Sequence, residues 1–133
     1  MNKKTGVGII IQNQDGEYLL HLRDEKTKIM TNQWSLVGGG VDIGETPKQA
    51  AIREVAEETS LIPTEVIKIG KLVFDDEWDA NIFYAKVDTS KQKVILTEGK
   101  QLKFFALNDL ITLFDSLEYS NPFLNFLQEY IKK

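Results

Sequence analysis

Glu45, Arg53, Glu54, Glu57 and Glu58 crowd into one short stretch of this chain, GGVDIGETPKQAAIREVAEETSL, from Gly39 to Leu61. Carboxylates gathered on one rigid face make a trap for a hard divalent cation. Mg²⁺ takes oxygen ligands in near-octahedral geometry and usually arrives with phosphate groups. No other segment concentrates so much chemistry. On a helix, Glu54, Glu57 and Glu58 fall within about a third of a turn of one another. The same spacing predicts Ile52, Val55, Ala56 and Thr59 on the opposite, core-facing side. Like charges at i, i+3 and i, i+4 repel by roughly a few tenths of a kcal/mol per pair. A cation between them reverses that sign, and Arg53 can pair with Glu57 at i+4 and orient it. A solvated face is the ordinary explanation for glutamates on a helix. Here the glycines that precede the helix argue for a site.

A helix must hold these residues, and its start is legible. Thr46 is a good N-cap, Pro47 suits the first helical position, and Gln49 completes a capping box. The helix should run to about Thr59, before Leu61-Ile62-Pro63. Ahead of it, Val7, Ile9 and Ile11 alternate with smaller residues, Asn13-Gln14-Asp15-Gly16 makes a turn, and Tyr18 to Leu22 resumes, which predicts a hairpin. Asp24 to Asn32 reads as a polar loop. Trp34 to Val37 reads as a short strand that Gly38-Gly39-Gly40 ends. Glycines in a row mark a sharp bend or a close approach to a ligand.

Beyond the helix, Glu65 to Phe74 and Ile82 to Val87 are β-rich, with an acidic turn or loop, Asp75-Asp76-Glu77-Trp78-Asp79, between them. Leu102 to Leu107 is a further strand candidate, and Asn108-Asp109-Leu110 starts a short helix. Asn121 caps a last helix with Pro122 at its first position; Phe123, Phe126, Leu127, Tyr130 and Ile131 recur there at helical spacing. Hairpin-linked strands interleaved with helices predict an α+β or mixed α/β sandwich.

The 133 residues predict a single domain, residues 1–133. Apolar content of 42% and charged content of 27% fit a soluble globular protein. A net charge of −4 argues against a binder of nucleic-acid polymers but leaves room for a nucleotide substrate. The chain has no cysteine, so no disulfide and no thiolate metal site is possible, which fits a reducing compartment. The apolar run after the first lysines is too short for a signal segment, and none approaches the ~20 residues of a membrane span. The expectation is a cytoplasmic protein with no membrane partner, monomeric or homodimeric.

The acidic stretch carries a wider pattern, G-x5-E-x7-R-E-U-x-E-E-x-G-U with U apolar, which is the Nudix box. Gly39, Glu45, Arg53, Glu54, Val55, Glu57, Glu58 and Leu61 stand at the required places. At roughly 7% per residue type, such a match arises by chance on the order of 10⁻⁸ per start point. The chain therefore resembles the Nudix hydrolase family, and its MutT-like members most. Arg23 at the end of the hairpin, the Trp34 strand and Thr97-Glu98-Gly99 ahead of Phe104-Phe105-Ala106-Leu107 extend the likeness over nearly the whole chain. Two places depart. Ser60 stands where the box has a glycine that closes the helix in a left-handed conformation, and no proline precedes the glycines.

The resemblance implies a mixed β-sheet sandwiched between α-helices and hydrolysis of a nucleoside diphosphate linked to a group X, with Mg²⁺ or Mn²⁺. It implies Glu57 and Glu58 as metal ligands and Glu54 as a ligand or as the base acting on water. Arg53 orients a carboxylate, and the Gly38 carbonyl adds a backbone oxygen. Glu98 is a further metal-binding glutamate or an exposed loop acid. Glu45 ties the loop to the helix or ligates directly. Arg23 grips a phosphate or is a plain surface arginine, Asn121 reads a base or only caps a helix, and Trp78 stacks on a base or folds back on the sheet. His21 is assigned no catalytic role. The expected substrate is a small nucleotide, first a nucleoside triphosphate cleaved to monophosphate and pyrophosphate. ADP-ribose, nucleotide sugars and dinucleoside polyphosphates are alternatives, as is a Nudix module that binds a nucleotide without cleaving it.

Overall fold

Side chains alternate across a strand, and in this chain both sets are apolar. Ile9 and Ile11 point to one face of the sheet while Ile10 points to the other; Leu19 and Leu20, Val37 and Leu36, and Phe83 and Ile82 divide in the same way. A sheet built from such strands must be covered on both sides.

The computed structural model describes residues 4–26, 30–74 and 77–132. In chain order the elements are β1 (Lys4–Gln12), β2 (Tyr18–Leu22), β3 (Trp34–Ser35), β4 (Val37–Gly40), α1 (Pro47–Thr59), β5 (Glu65–Val73), β6 (Trp78–Lys86), β7 (Gln101–Phe105), α2 (Leu107–Ser116) and α3 (Pro122–Ile131). The strands form one seven-stranded mixed sheet in the order β3-β2-β1-β6-β5, with β4 also on β1 and β7 also on β2. The helix α1 packs on the face of Val7, Ile9, Ile11 and Phe83 through Ala50, Ala51 and Val55. On the opposite face α2 and α3 bring Leu110, Leu124 and Leu127 against Ile10, Leu20 and Ile82. The expected sandwich is the observed architecture. Among the described residues no helix is long and apolar enough to cross a membrane.

The central strand β1 changes partner along one edge. Gly6 to Ile9 pair antiparallel with Gly40 to Val37, whereas Ile11 and Gln12 pair with Leu19 and Tyr18 of β2. Its other edge runs parallel to β6 over its whole length.

Three sequence expectations shift. Gly38, Gly39 and Gly40 do not end a strand; they are the body of β4. A Cβ at Gly38 would overlap the Val7 carbonyl, and one at Gly39 would overlap the Glu54 carboxylate. Glycine is needed because a strand and a side chain come close, not because the backbone bends. Trp78 and Asp79 belong to β6 rather than to a turn, since Lys4 and Thr5 of β1 pair with them; Asp75 and Asp76 lie outside the described residues. Finally, α2 starts at Leu107, one residue before the expected Asn108, with Ala106 at the cap.

Candidate active site

The geometry of α1 starts from its ends. Thr46 accepts a hydrogen bond from the Gln49 N–H at 3.1 Å while the Gln49 side chain accepts from the Thr46 N–H at 2.8 Å. This reciprocal cap is worth about 1 kcal/mol. At the other end Ser60 takes the left-handed conformation (φ 64°, ψ 15°) expected of a glycine. The Thr59 hydroxyl donates to Val55 O at 2.6 Å and accepts from the Leu61 N–H at 3.1 Å, which braces that exit.

The face that α1 buries differs from the expectation. Ile52 is 41% exposed and Ala56 is also exposed, whereas Ala50, Ala51, Val55, Thr59 and Glu58 are buried. The inward stripe runs through positions 51, 55 and 59: Val55 and Thr59 are buried as predicted, while Ala51 takes the place expected of Ile52 and Ala56. Small Ala50 and Ala51 let the helix come close to β1 and β4. Glu54 and Glu58 are thereby carried to the margin of the core, under the glycines, and not to the solvated side.

Burial sets the electrostatics. The Glu58 side chain accepts from the Gly38 N–H at 3.0 Å, but loss of water, and next the charge of Glu54, push its pKa up to about 8. Burial also raises Glu54, against the pull of its 2.8 Å ion pair with Arg53. Arg53 is the hub of the outer layer. It reaches Glu45 at 2.6 Å, Glu57 at 3.2 Å and the Gly40 carbonyl at 2.9 Å. Glu45 in turn accepts from the Asp42 N–H at 2.8 Å. The Arg53 hydrogen bond, then that N–H, hold the Glu45 carboxyl below its usual range. Glu45 therefore straps the incoming loop to the helix.

A second segment closes the site. Thr97 donates to the Glu57 carbonyl at 2.8 Å, and the Lys100 N–H donates to Leu22 O at 2.9 Å. Together these elements enclose an open cleft of about 640 Å³, lined by Glu54, Glu57, Glu58 and Glu98, by Gly38 and Gly39, and by Arg23 and Lys26. The size suits a nucleotide-scale ligand.

The donor set is all carboxylate oxygen, the kind Mg²⁺ prefers. Glu54 and Glu58 are pressed together in a place that disfavours their charge, and a divalent cation would relieve that. Among the described residues no three acids stand close enough to close on one ion as they are. Arg53 now holds Glu57, whose side chain is 58% exposed.

Two expected substrate contacts lie elsewhere. Asn121 is buried at the start of α3; its oxygen caps the Leu124 N–H at 2.9 Å and its amide donates to Trp34 O at 3.1 Å and Gln33 Oε1 at 3.2 Å. Its hydrogen-bonding groups serve the fold, and it does not line the cleft. Trp78 sits at the start of β6 with the Lys4 ammonium 5.5 Å above its ring, and it too is absent from the cleft wall. What the sequence reading passed over is His21. It lines the cleft from β2 and contacts Glu58. Period-two alternation had the signal, since His21 shares the side of Leu19, and Leu19 faces α1.

Residues 2–125 match the NUDIX domain family. An uncharacterised Nudix hydrolase of Rhodococcus erythropolis is 34% identical over 82 residues, which cover 56% of this chain and 44% of that protein. An RNA pyrophosphohydrolase of Pelagibacter ubique is 42% identical over 65 residues, 49% of this chain and 39% of that one. The matched regions thus span less than half the length of these curated relatives. Among solved structures, a MutT Nudix hydrolase from Burkholderia pseudomallei superposes with a TM-score of 0.70 at 26% identity, over 82% of this chain and 87% of that one.

Proposed function

This chain belongs to the Nudix family, and we propose that it is a Mg²⁺- or Mn²⁺-dependent hydrolase of nucleoside diphosphates linked to a further group X. Nucleoside triphosphates, cleaved to monophosphate and pyrophosphate, are the first choice. The observation that carries this reading is the cleft, which gathers Glu54, Glu57, Glu58 and Glu98 together with Arg23 and Lys26.

In this reading Glu57, Glu58 and Glu98 hold the cation, with a backbone oxygen from Gly38. A divalent cation there neutralises phosphate charge and polarises the phosphoryl oxygens. Glu57, exposed and paired with Arg53, turns away from that arginine to join the donor set. Arg23 and Lys26 grip phosphate oxygens and align the chain of phosphates. Water attacks a phosphorus, the bond to the departing phosphate oxygen breaks, and the proton of the water passes to the Glu54 carboxylate. Arg53 keeps Glu54 charged and aimed. Burial makes Glu54 a stronger base than an exposed glutamate, which brings it nearer the working pH. Asn121 and Trp78 are left out of the substrate contacts.

A substrate panel tests this. Nucleoside triphosphates, ADP-ribose, nucleotide sugars, dinucleoside polyphosphates and 5′-triphosphorylated RNA are each offered with Mg²⁺ or Mn²⁺, and phosphate and pyrophosphate release is measured. The RNA arm is included because the Pelagibacter relative carries that name. Tight nucleotide binding with no turnover on any member makes the protein a binding module instead. Glu57→Gln should lower turnover by about 10²-fold or more, since a cation contributes several kcal/mol. It should leave the fold intact. Unfolding of that variant without metal contradicts the account of α1.

A further inference from the structure

His21 is the chain's only histidine; it is buried in β2, and the proposed reaction does not use it. Its two ring nitrogens address the two acid-bearing segments of the cleft. On one side Nε2 lies 2.9 Å from the main-chain carbonyl of Glu98. A carbonyl only accepts, so Nε2 carries hydrogen and donates. On the other side Nδ1 lies 3.7 Å from Oε1 of Glu58 and has no hydrogen-bond partner among the described residues. Gly99 makes room for the ring. It has a positive φ of 82°, and a Cβ there would overlap Nε2. The backbone of this segment is shaped to receive an imidazole.

The segment needs such a hold. Thr97 and Glu98 are exposed and belong to neither a strand nor a helix, so their backbone must be ordered before Glu98 can face Glu58. Residues one step back from a metal site commonly do this work, and losing one costs about 10–100-fold in metal affinity or activity.

We propose that His21 is a positioning residue for the cleft: its ring holds the Glu98 main chain by the Nε2 hydrogen bond while lying against the Glu58 carboxyl, and so sets the separation of the two acids. The proposal rests on reading the cleft as a divalent-cation site. It gives His21 no contact with substrate.

The test is a titration with Mn²⁺ alone, followed by loss of the free-ion electron paramagnetic resonance signal, on the unaltered chain, His21→Leu and His21→Gln. Leucine keeps bulk but loses the donor. Glutamine keeps an amide N–H near the position of Nε2. His21→Leu should weaken Mn²⁺ binding about tenfold or more, and His21→Gln should recover most of that loss. The kcat/KM of His21→Leu should fall at low Mn²⁺ and recover in part at saturating Mn²⁺. Wild-type Mn²⁺ affinity in His21→Leu, with or without a lower melting temperature, overturns the proposal. If His21→Leu does not fold, Gly99→Ala presses on the same contact from the other side and should also weaken Mn²⁺ about tenfold. Unchanged affinity there overturns the proposal equally. No Mn²⁺ binding by the unaltered chain would instead sink the cation-site reading itself.

Discussion

The two faces of the sheet are packed by different rules. Opposite α1, glycines on the sheet receive phenylalanine rings. Phe123 lies over Gly8, and Phe126 lies over Gly70, where the β5–β6 register shifts. Trp34 meets Phe105 edge-on at 5.2 Å. That face is large, apolar and built for burial. On the α1 face the helix contributes only Ala50, Ala51, Val55 and Thr59, and the space a larger side chain would fill goes to Glu54 and Glu58. There Gly39 receives the Glu54 carboxylate and Gly38 the neighbouring strand β1. One face is optimised for packing, and the other gives up apolar contact for charge held in place. Activity and stability should therefore respond to different residues.

The most forceful way to break that division is to cut into the apolar face. Leu127 is fully buried, and Leu127→Ala should cost about 3 kcal/mol, lowering the melting temperature by roughly 10 °C. Mn²⁺ affinity of the folded protein should not change. A matched loss of Mn²⁺ binding would show that the two faces are coupled.

A smaller effect probes the acidic face directly. Glu58 has its pKa raised from 4.5 to about 8, so the folded state binds its proton more tightly than the unfolded state. Its contribution to stability is then full below pH 4.5 and is lost as pH rises through about 8. Metal-free protein should lose about 2 kcal/mol between pH 5 and pH 9 from this group. Glu58→Gln should flatten that slope, and added Mg²⁺ should oppose it, since the cation favours the ionised carboxylate. Thermal melts across pH with and without Mg²⁺ check this. A pH slope that Glu58→Gln leaves unchanged would show that Glu58 ionises freely.

The finest probe is the helix exit. Ser60 holds a left-handed backbone at a cost of about 1–2 kcal/mol. Ser60→Gly should recover about 1 kcal/mol, a few degrees in melting temperature. Turnover should not change, because the carboxylates sit earlier in α1. A change in kcat would mean that the exit of α1 aims Glu57 and Glu58.

Much of the fold was legible because local chemistry writes it. The Thr46–Gln49 cap and Pro47 set the first turn of α1 through hydrogen bonds among neighbouring residues. Asn121 and Pro122 did the same for α3, and alternation in β1 and β2 announced a hairpin. The left-handed Ser60 followed from the place of a missing glycine. The site was legible only in part. Glu54, Glu57 and Glu58 were found as a group, but which of them is buried was not. Asn121 looked equally like a cap and a base reader until its amide was seen bonded to Gln33 and Trp34.

What the sequence alone determined, then, is the three helices and most of the strands in their order, the register of the acidic pattern and the family it marks. These depend on contacts within a few residues along the chain. Only the tertiary structure decided that Glu58 is buried, that β4 is made of glycines lying against β1 and Glu54, that Trp78 and Asn121 stand away from the cleft, and that His21 and Glu98, far apart in sequence, meet across it. Those outcomes depend on which surface each element finds when it packs, and no local spacing encodes the distance between a strand and the helix laid over it.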